Sequence, residues 1–172
     1  MASPKLLVWG GVAAAVHELG HVAAIRLLGG RIDGLYLTGV GAVIVPQRER
    51  LFSYGEECLV ALAGPAASVL LALGAAAWGQ FGRGDAYLLT GISLALGIFN
   101  LLPAGPLDGS RVLGALVAWA AGPDTRERVN RLLTLVAAGG LGGLGLWALE
   151  ENGNFTLLLC AGWLLASQGR ER

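Results

Sequence analysis

The chain has 172 residues, of which 55% are hydrophobic and only 14% charged, with a mean hydropathy of +0.63. This is too apolar and too poor in charge for an ordinary soluble domain, and it predicts a single integral membrane domain over residues 1–172. With a formal net charge of zero, the chain has no basic footprint for nucleic acid and no acidic tail.

Taken in chain order, the first apolar segment runs from about Lys5 to Leu28. Lys5 followed by an apolar stretch superficially resembles a secretory signal. However, only 11 uncharged residues, Leu6 to Val16, precede His17, and no cleavage pattern follows, so the segment reads as a first membrane helix. It carries both histidines of the chain in the sequence His-Glu-Leu-Gly-His, His17 to His21. Arg31 to Arg50 follows, with Leu35, Leu37, Val40, Val43, Ile44 and Val45 interleaved with Gly34, Gly39 and Gly41. That pattern predicts short β-strands, a Gly-rich membrane-associated β element at 31–47, with a plain connecting loop as the alternative.

Four uncharged runs come next: Cys58 to Gly82 (25 residues), Ala86 to Leu107 (22), Leu132 to Leu149 (18) and Asn152 to Gly169 (18). A helix needs roughly 20 residues to cross the hydrocarbon core. The stretch from Ala86 to Ala121 is too long for one simple helix and contains Pro103, Gly105, Pro106 and Gly109. It is either two crossings or one crossing broken near 103–109. Charge bias separates the two. With one broken crossing, Arg26, Arg31, Arg48, Arg50, Arg126, Arg128, Arg131, Arg170 and Arg172 share a side, against Lys5 and Arg83. Two crossings would reverse the bias. The positive-inside rule therefore predicts an α-helical polytopic protein of about five transmembrane passes, N-terminus outside and C-terminus in the cytoplasm. Cys58 and Cys160 each lie in an apolar run and read as small buried thiols, not a disulfide framework. The clustered glycines from Gly139 to Gly145 read as close helix packing, since no Walker pattern accompanies them.

On a helix, residues i and i+4 share a face about 6 Å apart along the axis, so both imidazoles can grip one ion. Glu18 stands beside them as a base for water. Titratable groups are costly in a membrane segment and are usually functional there. Catalytic zinc takes three protein ligands and keeps one position open. Ala24 and Leu27 exclude the metzincin extension, so the third ligand must be a carboxylate. Most of the acids lie in loops beside arginines. Asp108 lies in the broken membrane segment between Leu107 and Gly109, where irregular backbone is tolerated only if buried in protein or lining a wet cavity. It is the predicted third ligand, against the alternative of a helix N-cap for a segment starting near Ser110. The expected site is His17, His21 and Asp108 on one Zn²⁺ per chain, with Glu18 taking the proton of an acidified water and passing it to a leaving amine. Asn100, near the break, would hydrogen-bond substrate or a developing oxyanion, or else join helices.

These residues resemble those of the site-2 protease family of intramembrane zinc metalloproteases. HELGH at 17–21 is similar to the family's zinc-binding helix. Asn100 to Gly109, reading NLLPAGPLDG, resembles its second signature, and Ala63 to Pro65 resembles its Ala-Gly-Pro element. Within the family the chain is most similar to the stage IV sporulation protein FB type, on the NLLP and PLDG sequences, the short Gly-rich loop and a paired helix after Arg128. The resemblance implies His17, His21 and Asp108 as zinc ligands, Glu18 as catalytic base and Asn100 as a substrate contact. It also implies regulated intramembrane proteolysis of a membrane-embedded or membrane-tethered substrate, such as a transcription-factor precursor. The setting would be a bacterial cell membrane, with the active site toward the cytoplasm. Partners would be the substrate, the lipid bilayer and regulatory membrane proteins. Ser110 replaces a second glycine usual after the aspartate, and Ser68 stands where asparagine is frequent. The family's helix before the HELGH helix has no counterpart segment here, and neither does a PDZ or CBS domain. The competing readings are a membrane zinc-binding protein without turnover and a zinc transporter. Transport would spread polar residues along a path, whereas these converge on one locus.

Overall fold

A computed structural model describes residues 4–38, 41–46, 52–80 and 84–167. Residues 39, 40 and 47 of the Gly-rich stretch lie outside this set, as do Arg48, Glu49, Arg50, Arg83, Arg170 and Arg172. The chain divides into two compact units, Met1–Leu101 and Leu102–Arg172.

The first unit holds helix α1 (Pro4–Leu27), strands β1 (Ile32–Thr38) and β2 (Gly41–Pro46), α2 (Tyr54–Gly79) and α3 (Asp85–Asn100). The strands pair antiparallel, Leu35 opposite Ile44 and Leu37 opposite Ala42, with an irregularity between Ile32 and Gly34. Helix α2 starts four residues before the uncharged run because Ser53 and Glu56 form a capping box. The Ser53 amide donates to Glu56 Oε2 at 2.9 Å and the Glu56 amide to Ser53 Oγ at 3.3 Å, satisfying two otherwise orphaned amides.

Small residues set how closely these helices approach. A Cβ on Gly20 would lie 2.5 Å from the Ala63 carbonyl oxygen and 2.8 Å from Ala67 Cβ. The glycine of HELGH is thus the point where α1 meets the backbone of α2. A Cβ on Gly97 would lie 3.1 Å from Ser68 Cβ, so α3 packs equally tightly on α2. Lipid offers no hydrophobic drive for helix association, and such backbone proximity supplies it instead. Ala13, Ala75 and Leu89 form the buried core, packed by Trp9, Leu71, Ile92 and Leu96. At the exposed end of the unit, Lys5 Nζ meets Asp85 Oδ2 at 2.8 Å.

The second unit begins with the irregular segment after α3 and continues through α4 (Asp108–Ala121), α5 (Pro123–Asn152) and α6 (Thr156–Ser167). The irregular segment spans 101–107, two residues earlier than the expected 103–109. Asp108 and Gly109 are already helical, because an acidic residue in a first turn is favoured by the helix dipole. Helix α5 runs nine residues ahead of its uncharged run. Pro123 in its first turn suits a helix start. Gly153 (φ +70°) closes α5 in the left-handed conformation, so the last helix starts at Thr156 and not at Asn152. A Cβ on Gly114 would lie 2.9 Å from Arg126 Nε, which sets α4 beside the charged beginning of α5. Among the described residues, α1, α2 and α5 are long and apolar enough to cross a membrane, and α3 and α6 are shorter apolar helices.

The irregular segment is held by side chains. Gly105 (φ +54°) adopts a backbone that L side chains rarely take. Its amide donates to Thr134 Oγ1 at 2.7 Å, and its carbonyl accepts from Ser110 Oγ at 2.6 Å. Thr134 is 1% exposed and its hydroxyl donates onward to the Asn130 carbonyl at 2.8 Å. Thr134→Val keeps the shape and removes the acceptor, leaving the Gly105 amide unpaired at a cost of about 1–3 kcal/mol. Thermal unfolding in detergent is expected to show a lower midpoint for this variant; an unchanged midpoint would mean that water reaches Gly105.

Candidate metal centre

His17 and His21 lie one turn apart on α1, 3% and 5% exposed. Both face α2, which fixes the nitrogen of each ring that an ion would not use. His21 Nδ1 is 2.7 Å from the Val60 carbonyl oxygen. A carbonyl only accepts, so Nδ1 carries the proton and donates, and Nε2 keeps its lone pair. His17 Nδ1 is 2.9 Å from Ser68 Oγ, and the same tautomer results when the hydroxyl accepts. Ser68 is fully buried, so water does not compete for this bond.

The two Nε2 atoms are 3.3 Å apart, the rings edge to face at 80°. A tetrahedral ion with two nitrogens at about 2.0–2.1 Å holds them about 3.3 Å apart. The pair is therefore spaced for one ion without rearrangement. Gly64 on α2 leaves the room: a Cβ there would run into Nε2 of His21 and lie 2.8 Å from Nε2 of His17. Glu18, adjacent to His17, is half-buried.

Asp108 is the first residue of α4, behind Leu107 as N-cap. It sits within the first turn of the helix, one residue past the N-cap position. Its side chain is 8% exposed, and Arg111 Nη1 lies 3.7 Å from its Oδ1, one helical turn on. His17 and His21 offer one ion two imidazole nitrogens from the first unit, and Asp108, the third ligand expected from the sequence, belongs to the second. Two imidazoles and a carboxylate are a donor set suited to zinc. Asn100 closes α3, and its Nδ2 donates to the Leu96 carbonyl at 3.0 Å. One N–H of the amide is thus engaged within its own helix, and the second is a further donor.

Several contributors escape a reading of the sequence alone. Ser68 and the Val60 carbonyl orient the two rings, and they lie 51 and 39 residues away from them. A buried serine in an apolar helix was the available signal for Ser68. For Gly64 it was a glycine preceding an intrahelical proline.

Residues 85–141, covering α3, the irregular segment, α4 and the start of α5, match the model of peptidase family M50. A zinc metalloprotease of Methanocaldococcus jannaschii is 32% identical over 62% of this chain and 32% of its own length. A Synechocystis protein assigned as a zinc metalloprotease is 31% identical over 95% of this chain and 45% of its own. The site-2 protease structure from Methanocaldococcus jannaschii superposes with a TM-score of 0.77 at 25% identity, covering 97% of this chain and 77% of that one. These matches support peptidase family M50, the site-2 proteases. The chain spans less than half the length of these two zinc metalloprotease relatives. Taken with the three long apolar helices, the M50 likeness indicates an integral membrane protein.

Ser68→Ala is expected to weaken metal binding about 10–100-fold, as loss of a bond that orients a ligand usually does. Competition with a chromophoric chelator measures this, and unchanged affinity would remove Ser68 from the centre. Gly64→Ala, which fills the space beside both Nε2 atoms, should leave the purified chain with less than its full complement of metal.

Proposed function

We propose that this chain is an intramembrane zinc metalloendopeptidase that hydrolyses peptide bonds of membrane-embedded or membrane-tethered proteins. The observation that carries the reading is the buried histidine pair, its Nε2 atoms 3.3 Å apart and both Nδ1 atoms engaged by α2. In this proposal His17, His21 and Asp108 hold one Zn²⁺. When bound, zinc supplies Lewis acidity, polarising a carbonyl and lowering the pKa of water. Glu18 then accepts the proton as the water oxygen bonds to the scissile carbon, and delivers it to the amine as the C–N bond breaks. Asn100 contacts substrate through its side-chain amide, one N–H of which donates to the Leu96 carbonyl.

The wider setting belongs to the same proposal: about five passes with a membrane-associated hairpin, in a bacterial cell membrane, with the site toward the cytoplasm. The NLLP and PLDG sequences and the short Gly-rich hairpin favour the stage IV sporulation protein FB type, and so regulated proteolysis of a transcription-factor precursor. Its partners are the substrate, the bilayer and regulatory membrane proteins.

Glu18→Gln is expected to retain zinc but lower cleavage of a membrane-tethered reporter by about 10²–10⁴-fold, the range for loss of a positioned base. Zinc binding without any cleavage by the native chain would favour a binding protein, and cleavage at the normal rate by the variant would exclude the mechanism. Asp108→Ala should lower zinc per chain by metal analysis; unchanged stoichiometry would exclude its assignment as a ligand.

A further inference from the structure

Within the unit Leu102–Arg172, the backbone that leads into Asp108 is held from three helices at Gly105. Its amide donates to Thr134 Oγ1 of α5 at 2.7 Å, and its carbonyl accepts from Ser110 Oγ of α4 at 2.6 Å. From α6, Leu164 Cδ2 and Ser167 Oγ come so near that a Cβ on Gly105 would lie 3.0 and 3.1 Å from them. Gly105 is itself buried, and Leu164 and Thr134 have almost no exposed surface. The direction of the bond to α5 is fixed as well. Thr134 commits its one hydroxyl proton to its own helix, at the Asn130 carbonyl 2.8 Å away, which leaves its oxygen to accept from Gly105.

Little slack remains between Gly105 and Asp108. Pro106 has a fixed φ. The Leu107 amide donates to the Ala104 carbonyl at 3.3 Å, and the Leu107 carbonyl accepts from the Ser110 and Arg111 amides at 3.1 and 3.4 Å. A displacement of Gly105 is therefore carried to the first residue of α4, which is Asp108. A functional group of this kind must be held to within about 0.5 Å of its working position, so a loop anchor can decide whether it serves.

We propose that Thr134 is a positioning residue for the Asp108 carboxylate, acting through Gly105 to set where α4 begins. The inference rests on the proposed role of Asp108 as a zinc ligand. It adds that the ligand's position is set on α5, 26 residues further along the chain, by a hydroxyl that acts only through the backbone. Removing that hydroxyl should loosen the ion without removing a ligand.

Zinc affinity by chelator competition and the visible d–d spectrum of the cobalt-substituted full chain test this, both in detergent well below the unfolding midpoint. Thr134→Val should weaken zinc binding about tenfold, the low end of the range for groups that orient a ligand, and alter the cobalt spectrum. Thr134→Ser keeps the hydroxyl and should restore both. Ser110→Ala frees the other side of Gly105 and should alter the spectrum too; it carries the test if Thr134→Val fails to fold. Gly145→Ala serves as the stability control. It lies about three turns further along α5, where a Cβ would be 2.9 Å from Leu158 Cδ2, and it should destabilise the same unit yet leave the cobalt spectrum as it is. Native affinity and spectrum in Thr134→Val, or an equal loss in Thr134→Ser or Gly145→Ala, would overturn the proposal while Asp108→Ala still changes the spectrum. An unchanged spectrum in Asp108→Ala would instead remove Asp108 from the ion, and the positioning role with it.

Discussion

Everything in the candidate site depends on a constraint on imidazole. Each ring can give one nitrogen to an ion only if its other nitrogen carries a proton and has somewhere to place it. In a buried site that partner must come from the protein. Here α2 supplies it twice, through the Val60 carbonyl to His21 and through Ser68 Oγ to His17. Those two bonds require α2 to lie very close to α1, and Gly20 and Gly64 are the residues that permit it. The spacing of the Nε2 atoms, the tautomer of the rings and the tight packing of the two helices are thus one solution to one problem.

A second constraint governs the irregular segment that ends at Asp108. Irregular backbone at membrane depth has unpaired amides and carbonyls, and without water these must find partners in the protein. Gly105 finds Thr134 for its amide and Ser110 for its carbonyl. The Thr134 hydroxyl is itself held by the Asn130 carbonyl, so the loop is fixed by a short chain of buried hydrogen bonds. Ser110 is part of that chain of bonds. A loop fixed in this way can deliver the Asp108 carboxylate in a defined position.

What the sequence made legible was local. The i, i+4 spacing of His17 and His21 defines a helix face, and the long apolar runs define helices α1 and α2 to within a few residues, while α5 begins nine residues before its run. The prolines and glycines of 103–109 mark a break, although the helix takes over at Asp108 because a first-turn acid suits its dipole. What stayed hidden was non-local. Nothing in the spacing of residues says that Ser68 meets His17 across 51 positions, or that Thr134 reaches Gly105. Such pairs are chosen by packing between helices, and small polar residues in apolar runs are their faint trace. The packing of Gly114 of α4 against Arg126 at the charged start of α5 is another such pair.

The account's central claim is that one ion sits on two imidazoles and a carboxylate. X-ray absorption at the zinc K-edge of the full chain, loaded with one equivalent of zinc in detergent, tests it most directly. The claim predicts a shell of nitrogen and oxygen at about 2.0–2.2 Å with the scattering signature of two imidazoles. A sulfur shell at about 2.3 Å, or fewer than two imidazoles, would contradict it.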